Sequence, residues 1–232
     1  MKPSVPTLLS FNGGYLDTAG YLALQGLFTA HITGNFVTIG AALVFGTSGV
    51  VAKLLALPVF CAVIIISRLA SLTIVGRRLT GLETLLSLQL ILLLIGAGLA
   101  VWWGPFVNGD TGPAILTGMT LVSAMAVQNA AHRVHQSASP PTTLMTGTTT
   151  QIMIDIADTI HGLPEETGDA TRARLRRMSV AVMSFAGGAA VAALLFSNIA
   201  SWCFALPPLV SLLAWIFAKS AAANPVAAPT GR

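Results

Sequence analysis

The sequence predicts an all-α, polytopic membrane protein, and three observations carry the prediction. Apolar residues make up 54% of the 232 residues and charged residues only 9%, where a soluble domain holds roughly 25% charged residues. Mean hydropathy is +0.80. The apolar residues fall into eight continuous, Leu- and Ala-rich segments, at 8–28, 29–46, 50–75, 82–103, 113–131, 142–160, 178–197 and 199–219. None of them alternates with the two-residue period of a membrane barrel strand. A chain of this length holds six to eight spans of about 20 residues. It therefore reads as one transmembrane domain, 1–219, with no room for a separate soluble enzyme. The Ala- and Pro-rich stretch 220–232 reads as a disordered tail.

Taken in order, the segments differ in how well they suit a membrane. The first reads poorly as a signal peptide, because Pro3, Pro6, Asn12, Gly13, Gly14 and Asp17 break any apolar core. The second opens on Thr29, His31, Thr33, Gly34 and Asn35, polar or helix-weakening residues that interrupt it. The third and fourth are strongly apolar and are separated by Arg77 and Arg78. Asn108, Gly109 and Asp110 follow the fourth; His132, Arg133 and His135 follow the fifth. The sixth repeats the pattern of the second. A long polar loop, 161–177, carries Arg172, Arg174, Arg176 and Arg177 ahead of the last two segments. Cys61 and Cys203 lie in apolar runs without metal-type spacing and read as packing residues.

The basic residues choose between two topologies, both with the N-terminus in the cytoplasm. If all eight segments cross, eight Lys and Arg lie inside and three outside. If 29–46 and 142–160 enter and return without crossing, ten lie inside and only Lys53 outside; Arg68 stays within a helix in both cases. The positive-inside rule prefers the second arrangement. It gives six transmembrane helices plus two re-entrant or broken segments. The two halves, about 8–103 and about 113–219, are then inverted repeats. Both termini are cytoplasmic in that arrangement.

The repeat is visible in the residues. Thr29-Ala30-His31-Ile32-Thr33-Gly34-Asn35 and Thr142-Thr143-Leu144-Met145-Thr146-Gly147-Thr148 share Thr, Thr and Gly in register, 113 positions apart. Polar, helix-weakening residues at corresponding places in two halves of a membrane protein point to a substrate or ion site between the repeats. Non-helical backbone at membrane depth survives only where protein or a wet cavity surrounds it. Upstream of each motif, Asp17 and Gln128 correspond if a two-residue gap is allowed. The alternative is packing: Thr and Gly also let membrane helices approach and hydrogen-bond.

In order along the chain, Gly14-Tyr15-Leu16-Asp17, Phe28 to Asn35, Gln128-Asn129-Ala130 and Thr142 to Thr148 resemble the bacterial YoaK family. These are small integral membrane proteins of unknown function. The resemblance implies an inner-membrane protein with about six helices and supplies no catalytic residue.

Candidate site residues follow from the motifs. The first motif offers Thr29, His31, Thr33, Gly34, Asn35 and Thr38; the second offers Thr142, Thr146, Gly147 and Thr148, with Gln128 and Asn129 upstream. Half-helix starts attract anions and half-helix ends attract cations, so the sequence leaves the sign of a ligand open. Asp17 in an apolar segment costs about 2.5–3.5 kcal/mol on insertion scales, so it is paired, functional, or capping a turn near the interface. His31 suits either proton relay or a structural hydrogen bond. Gln151, Asp155 and Asp158 share one helix face, which lines a polar path or reaches cytoplasmic water. Arg172, Arg174, Arg176 and Arg177 suit anionic lipid headgroups, at about 1 kcal/mol per basic residue.

Catalysis has no support: there is no nucleophile elbow, no phosphate loop and no metal-ligand pair on one helix. No cofactor, metal or nucleic acid is expected, and the +4 charge reflects cytoplasmic loops. The leading expectation is a small-solute or ion transporter or channel, working as a homodimer among membrane lipids. The competing one is a non-transporting structural or accessory membrane protein.

Overall fold

The computed structural model describes residues 4–73, 81–162 and 165–223, and every regular element in them is helical. Eight α-helices follow in order: α1 Val5–Ala23, α2 Gly34–Phe45, α3 Val50–Thr73, α4 Gly81–Trp103, α5 Gly112–His135, α6 Met145–His161, α7 Glu165–Ile199 and α8 Leu206–Ala223. A 3-10 turn, Ala200–Ala205, joins the last two. Arg77 and Arg78, and the tail from 224 onward, lie outside the described residues.

Local chemistry sets the helix ends. The Ser4 hydroxyl accepts from the Thr7 amide at 3.4 Å to cap α1, and Pro6 sits in the first turn, where no intrahelical donor is needed. Gln25 (φ 55°) and Gly26 (φ 84°) then turn the chain out of α1. At the far end Ala200, at φ 45°, breaks α7 from the turn that leads into α8.

Among the described residues four helical stretches are long and apolar enough to cross a membrane: Val50–Leu72, Gly81–Trp103, Gly112–His135, and the 55-residue run Gly168–Ala222 that takes in most of α7, the 3-10 turn and most of α8. Several large apolar side chains face outward, among them Val37, Val44 and Phe45 at 76%, 79% and 77% exposure. Water would penalise such a surface and lipid would not. The two motif segments differ from the rest. In each, the stretch before the helix (24–33 and 136–144) is not helical, and the helices α2 and α6 have only 12 and 17 residues. At 1.5 Å per residue these reach about 18 and 26 Å, short of the roughly 30 Å hydrocarbon core.

Helix pairing is exchanged between the halves. α1 packs along α7 while α5 packs along α3; α2 lies on α3 and α6 on α7; α4 meets α5 and α8 meets α1; α4 and α8 touch each other. Glycines set the closest of these contacts. A Cβ on Gly14 would overlap the Phe185 carbonyl, and one on Gly188 would overlap the Phe11 carbonyl. α1 and α7 therefore approach backbone to backbone. Tyr15 is buried at this junction and its hydroxyl donates to the Cys203 carbonyl at 2.6 Å.

The loops cluster at two ends. At one, Gln25 donates from its side chain to the Phe106 carbonyl, and the Gly49 and Val51 amides both donate to Asp110 at 2.8 Å. Gln25, Gly49 and Gly109 touch there, so a Cβ on Gly49 would sit 3.3 Å from the Gln25 Cβ. The segment from Gln25 to Gly49 thus leaves and returns to one end of the bundle. At the other end His132 contacts the Ser139 carbonyl at 3.0 Å, and Gly81 packs on the His135 ring.

Candidate functional site

In each half, a polar side chain on the helix before the broken segment grips the chain about fourteen residues later. In the first half this is Asp17 on α1. Its carboxylate is 5% exposed and accepts from the Ala30 amide at 2.6 Å and the His31 amide at 3.1 Å. In the second half Gln128 and Asn129 on α5 do the same through hydroxyls. Gln128 donates to the Thr142 hydroxyl at 3.1 Å, and the Thr143 hydroxyl donates to Asn129 at 2.8 Å. The first half grips backbone amides with a carboxylate; the second grips side-chain hydroxyls with neutral amides.

Other motif residues hold the broken segments in shape. Asn35, 1% exposed, accepts from the Phe28 amide and donates to the Phe28 carbonyl, both at 2.9 Å. It imitates a backbone partner across seven residues. The Thr38 hydroxyl donates to the Asn35 carbonyl, and the Thr148 hydroxyl donates to the Leu144 carbonyl at 3.3 Å. Thr29 is buried without a partner for its hydroxyl among the described residues. Gly34 lies against Phe28 and His31, and Thr33 precedes α2 without a side-chain cap.

The two motifs meet at a cavity of about 590 Å³. His31 enters it from the first half; Thr146, Gly147, Thr148 and Gln151 line it from the second; Arg133, Pro141, Leu144 and Met178 complete the wall. A Cβ on Gly147 would meet nothing within 4 Å, so that position faces open space. Asp17, Asn35, Gln128 and Asn129 do not line it. The volume lies within the roughly 300–1,000 Å³ of small-molecule sites.

Below the cavity Gln151 donates to Asp155 at 2.8 Å, and Arg174 closes on the same carboxylate through two bonds of 2.9 and 2.6 Å. Asp155 has no exposed surface. The Arg174 guanidinium holds its carboxyl below the usual carboxylate range, against burial, and the Gln151 bond helps. Arg174 is thereby engaged within the chain. Arg172 makes a 3.4 Å ion pair with the highly exposed Asp169. Arg176 and Arg177 line a separate cavity of about 520 Å³ beside Ser4 and Thr7.

Two contributors escaped sequence reasoning. Gln89 on α4 is fully buried and donates to Gln128 at 2.7 Å, while Gln128 donates to the Leu9 carbonyl. The signal was the one amide side chain of this 23-residue helix, placed where the polar start (Glu83, Thr84, Ser87) gives way to a continuous apolar run. Arg133 read as an ordinary loop charge, and nothing local distinguishes it; only the return of 136–144 places it at the cavity.

The family model described as a protein of unknown function (DUF1275) matches residues 5–217, and the chain belongs to that family. No curated protein and no solved structure matches the chain.

Proposed function

We propose that the chain is a multi-pass bacterial inner-membrane protein that passes a small solute or ion through the cavity between its two Thr-Gly segments. One observation carries this reading: His31 of the first motif and Thr146, Gly147 and Thr148 of the second line the same cavity. Packing alone asks for no shared void there. In this reading six helices cross, α2 and α6 re-enter, and both termini are cytoplasmic. The return of Gln25–Gly49 to one bundle end and the exchanged helix pairing support two inverted repeats. The protein is not an enzyme, works without a cofactor, forms a homodimer, and sits among lipids whose headgroups Arg172, Arg176 and Arg177 attract. The kinship with the YoaK family belongs to the same reading.

A second reading keeps a foothold. The Thr38, Thr148 and Thr150 hydroxyls each bond back to a carbonyl three or four residues earlier in the chain, so they are satisfied locally without a ligand. Side-specific labelling separates the two. Gly147→Cys is made in a background with Cys61→Ala and Cys203→Ala, and reconstituted into vesicles of each orientation. A membrane-impermeant maleimide labels it from both sides if the cavity is part of a path. Labelling from one side only, or from neither, overturns the transport reading.

A further inference from the structure

The cavity between the motifs carries an unbalanced charge. No Asp or Glu lines it, while Arg133 does. The Arg133 guanidinium makes no hydrogen bond or ion pair with the described residues. The nearest carboxylate to each motif is already engaged, Asp17 by the Ala30 and His31 amides and Asp155 by Arg174 and Gln151.

A comparison of the two halves sharpens the point. Ahead of α2 the Asp17 carboxylate takes up the Ala30 and His31 amides, and the Gly34, Asn35 and Phe36 amides that open α2 bond to the His31, Ile32 and Thr33 carbonyls. At the entry to α6 the residues in Asp17's place are neutral, and they bond hydroxyls instead of amides. Leu144 offers α6 no side-chain cap, and none of the described residues accepts from the Met145, Thr146 or Gly147 amides. The first half thus supplies its own anion, and the second leaves donors and a guanidinium facing an open cavity.

We propose that this cavity binds an oxyanion, a carboxylate or phosphate group, held between Arg133 and the Thr146–Thr148 turn. The inference uses the cavity of the transport reading and names its ligand class. A planar guanidinium fits two oxygens of such a group at once. The oxyanion is either a free solute or a lipid phosphate, and the chemistry of recognition is the same for both.

The test is thermal unfolding of the purified full chain in neutral detergent micelles. Sodium phosphate and sodium acetate are titrated at ionic strength held constant with sodium chloride. In a parallel arm, phosphatidylglycerol is titrated into the micelles. The expected result is a saturable rise in Tm with at least one probe. Arg133→Gln should raise its half-saturation tenfold or more, and Arg133→Lys should recover part of the loss. A phosphate or acetate response assigns a free solute; a phosphatidylglycerol response alone assigns a lipid headgroup. Arg133 is exposed, so its substitution leaves the core intact. No saturable response in either arm, or one unchanged in Arg133→Gln, overturns the inference. The labelling of Gly147→Cys does not depend on any anion. Two-sided labelling with no anion response therefore sinks only the oxyanion assignment. An Arg133-dependent response with one-sided labelling sinks only transport.

Discussion

Replacing Asn35 with leucine removes both partners of one backbone unit. Asn35 Oδ1 accepts from the Phe28 amide and its Nδ2 donates to the Phe28 carbonyl, each at 2.9 Å. Leucine has the same branched heavy-atom skeleton with bulkier methyls, so the change leaves no void and its main cost is polar. An orphaned buried donor or acceptor costs about 1–3 kcal/mol, which gives roughly 2–6 kcal/mol for the pair. Phe28 is only partly buried and water can recover some of this, so the lower half, about 2–4 kcal/mol, is expected. Thr148→Val is the comparator, because it loses a single 3.3 Å hydroxyl bond to a carbonyl. A hydroxyl bonded back to its own helix contributes no more than about 0.5–1.5 kcal/mol. Reversible unfolding in mixed micelles of neutral detergent and sodium dodecyl sulfate measures both. If Asn35→Leu lies within about 0.5 kcal/mol of the parent, or costs less than Thr148→Val, Asn35 is not the clamp of the broken segment.

Gly188→Leu should prevent the α1–α7 contact from forming, because a Cβ there would overlap the Phe11 carbonyl and backbone cannot yield as a side chain does. Size-exclusion chromatography should show aggregation or loss of the monodisperse peak, whereas Gly187→Leu, with no atom near its Cβ, should elute normally. Arg174→Gln should loosen α6 from α7. Because Asp155 titrates below its ordinary value when folded, the stabilisation is present above the ordinary carboxylate pKa of about 3.9 and fades as pH falls below it. The stability gap between parent and variant should therefore be steady from neutral pH to about pH 5 and shrink below about pH 4; a gap that widens on acidification contradicts the pairing. Cysteines placed at Thr47 and Asn108, both exposed, should be labelled from the same side of the membrane, and one at Ser137 from the other. Labelling of the first two from opposite sides means that 29–46 crosses.

The eight apolar segments were legible because hydropathy and length are local properties, and each one holds a helix, but two boundaries moved. α7 begins at Glu165, inside the stretch 161–177 that reads as a polar loop, and α8 begins only at Leu206, after the 3-10 turn. A charged stretch still forms helix where it continues an apolar one. The interruptions at Thr29–Asn35 and Thr142–Thr148 were legible too, since Thr, Gly and Asn weaken a helix wherever they sit. The correspondence of Asp17 with Gln128 needs a two-residue gap, so register alone did not give it. The roles were not legible. Asp17 and Asn35 looked like site residues, yet the fold spends them on the Ala30, His31 and Phe28 backbone. Arg133 and Arg174 looked alike as loop charges, yet one faces the cavity and the other is absorbed by Asp155.

The sequence by itself determined an apolar helical chain with two weak points in matching places, because composition and periodicity act within a turn or two of helix. Only the tertiary structure decided which polar groups those weak points satisfy among themselves and which they leave facing a void. That depends on partners up to 119 residues away, such as the Leu9 carbonyl that meets Gln128, and such distances are closed by packing, not by local preference.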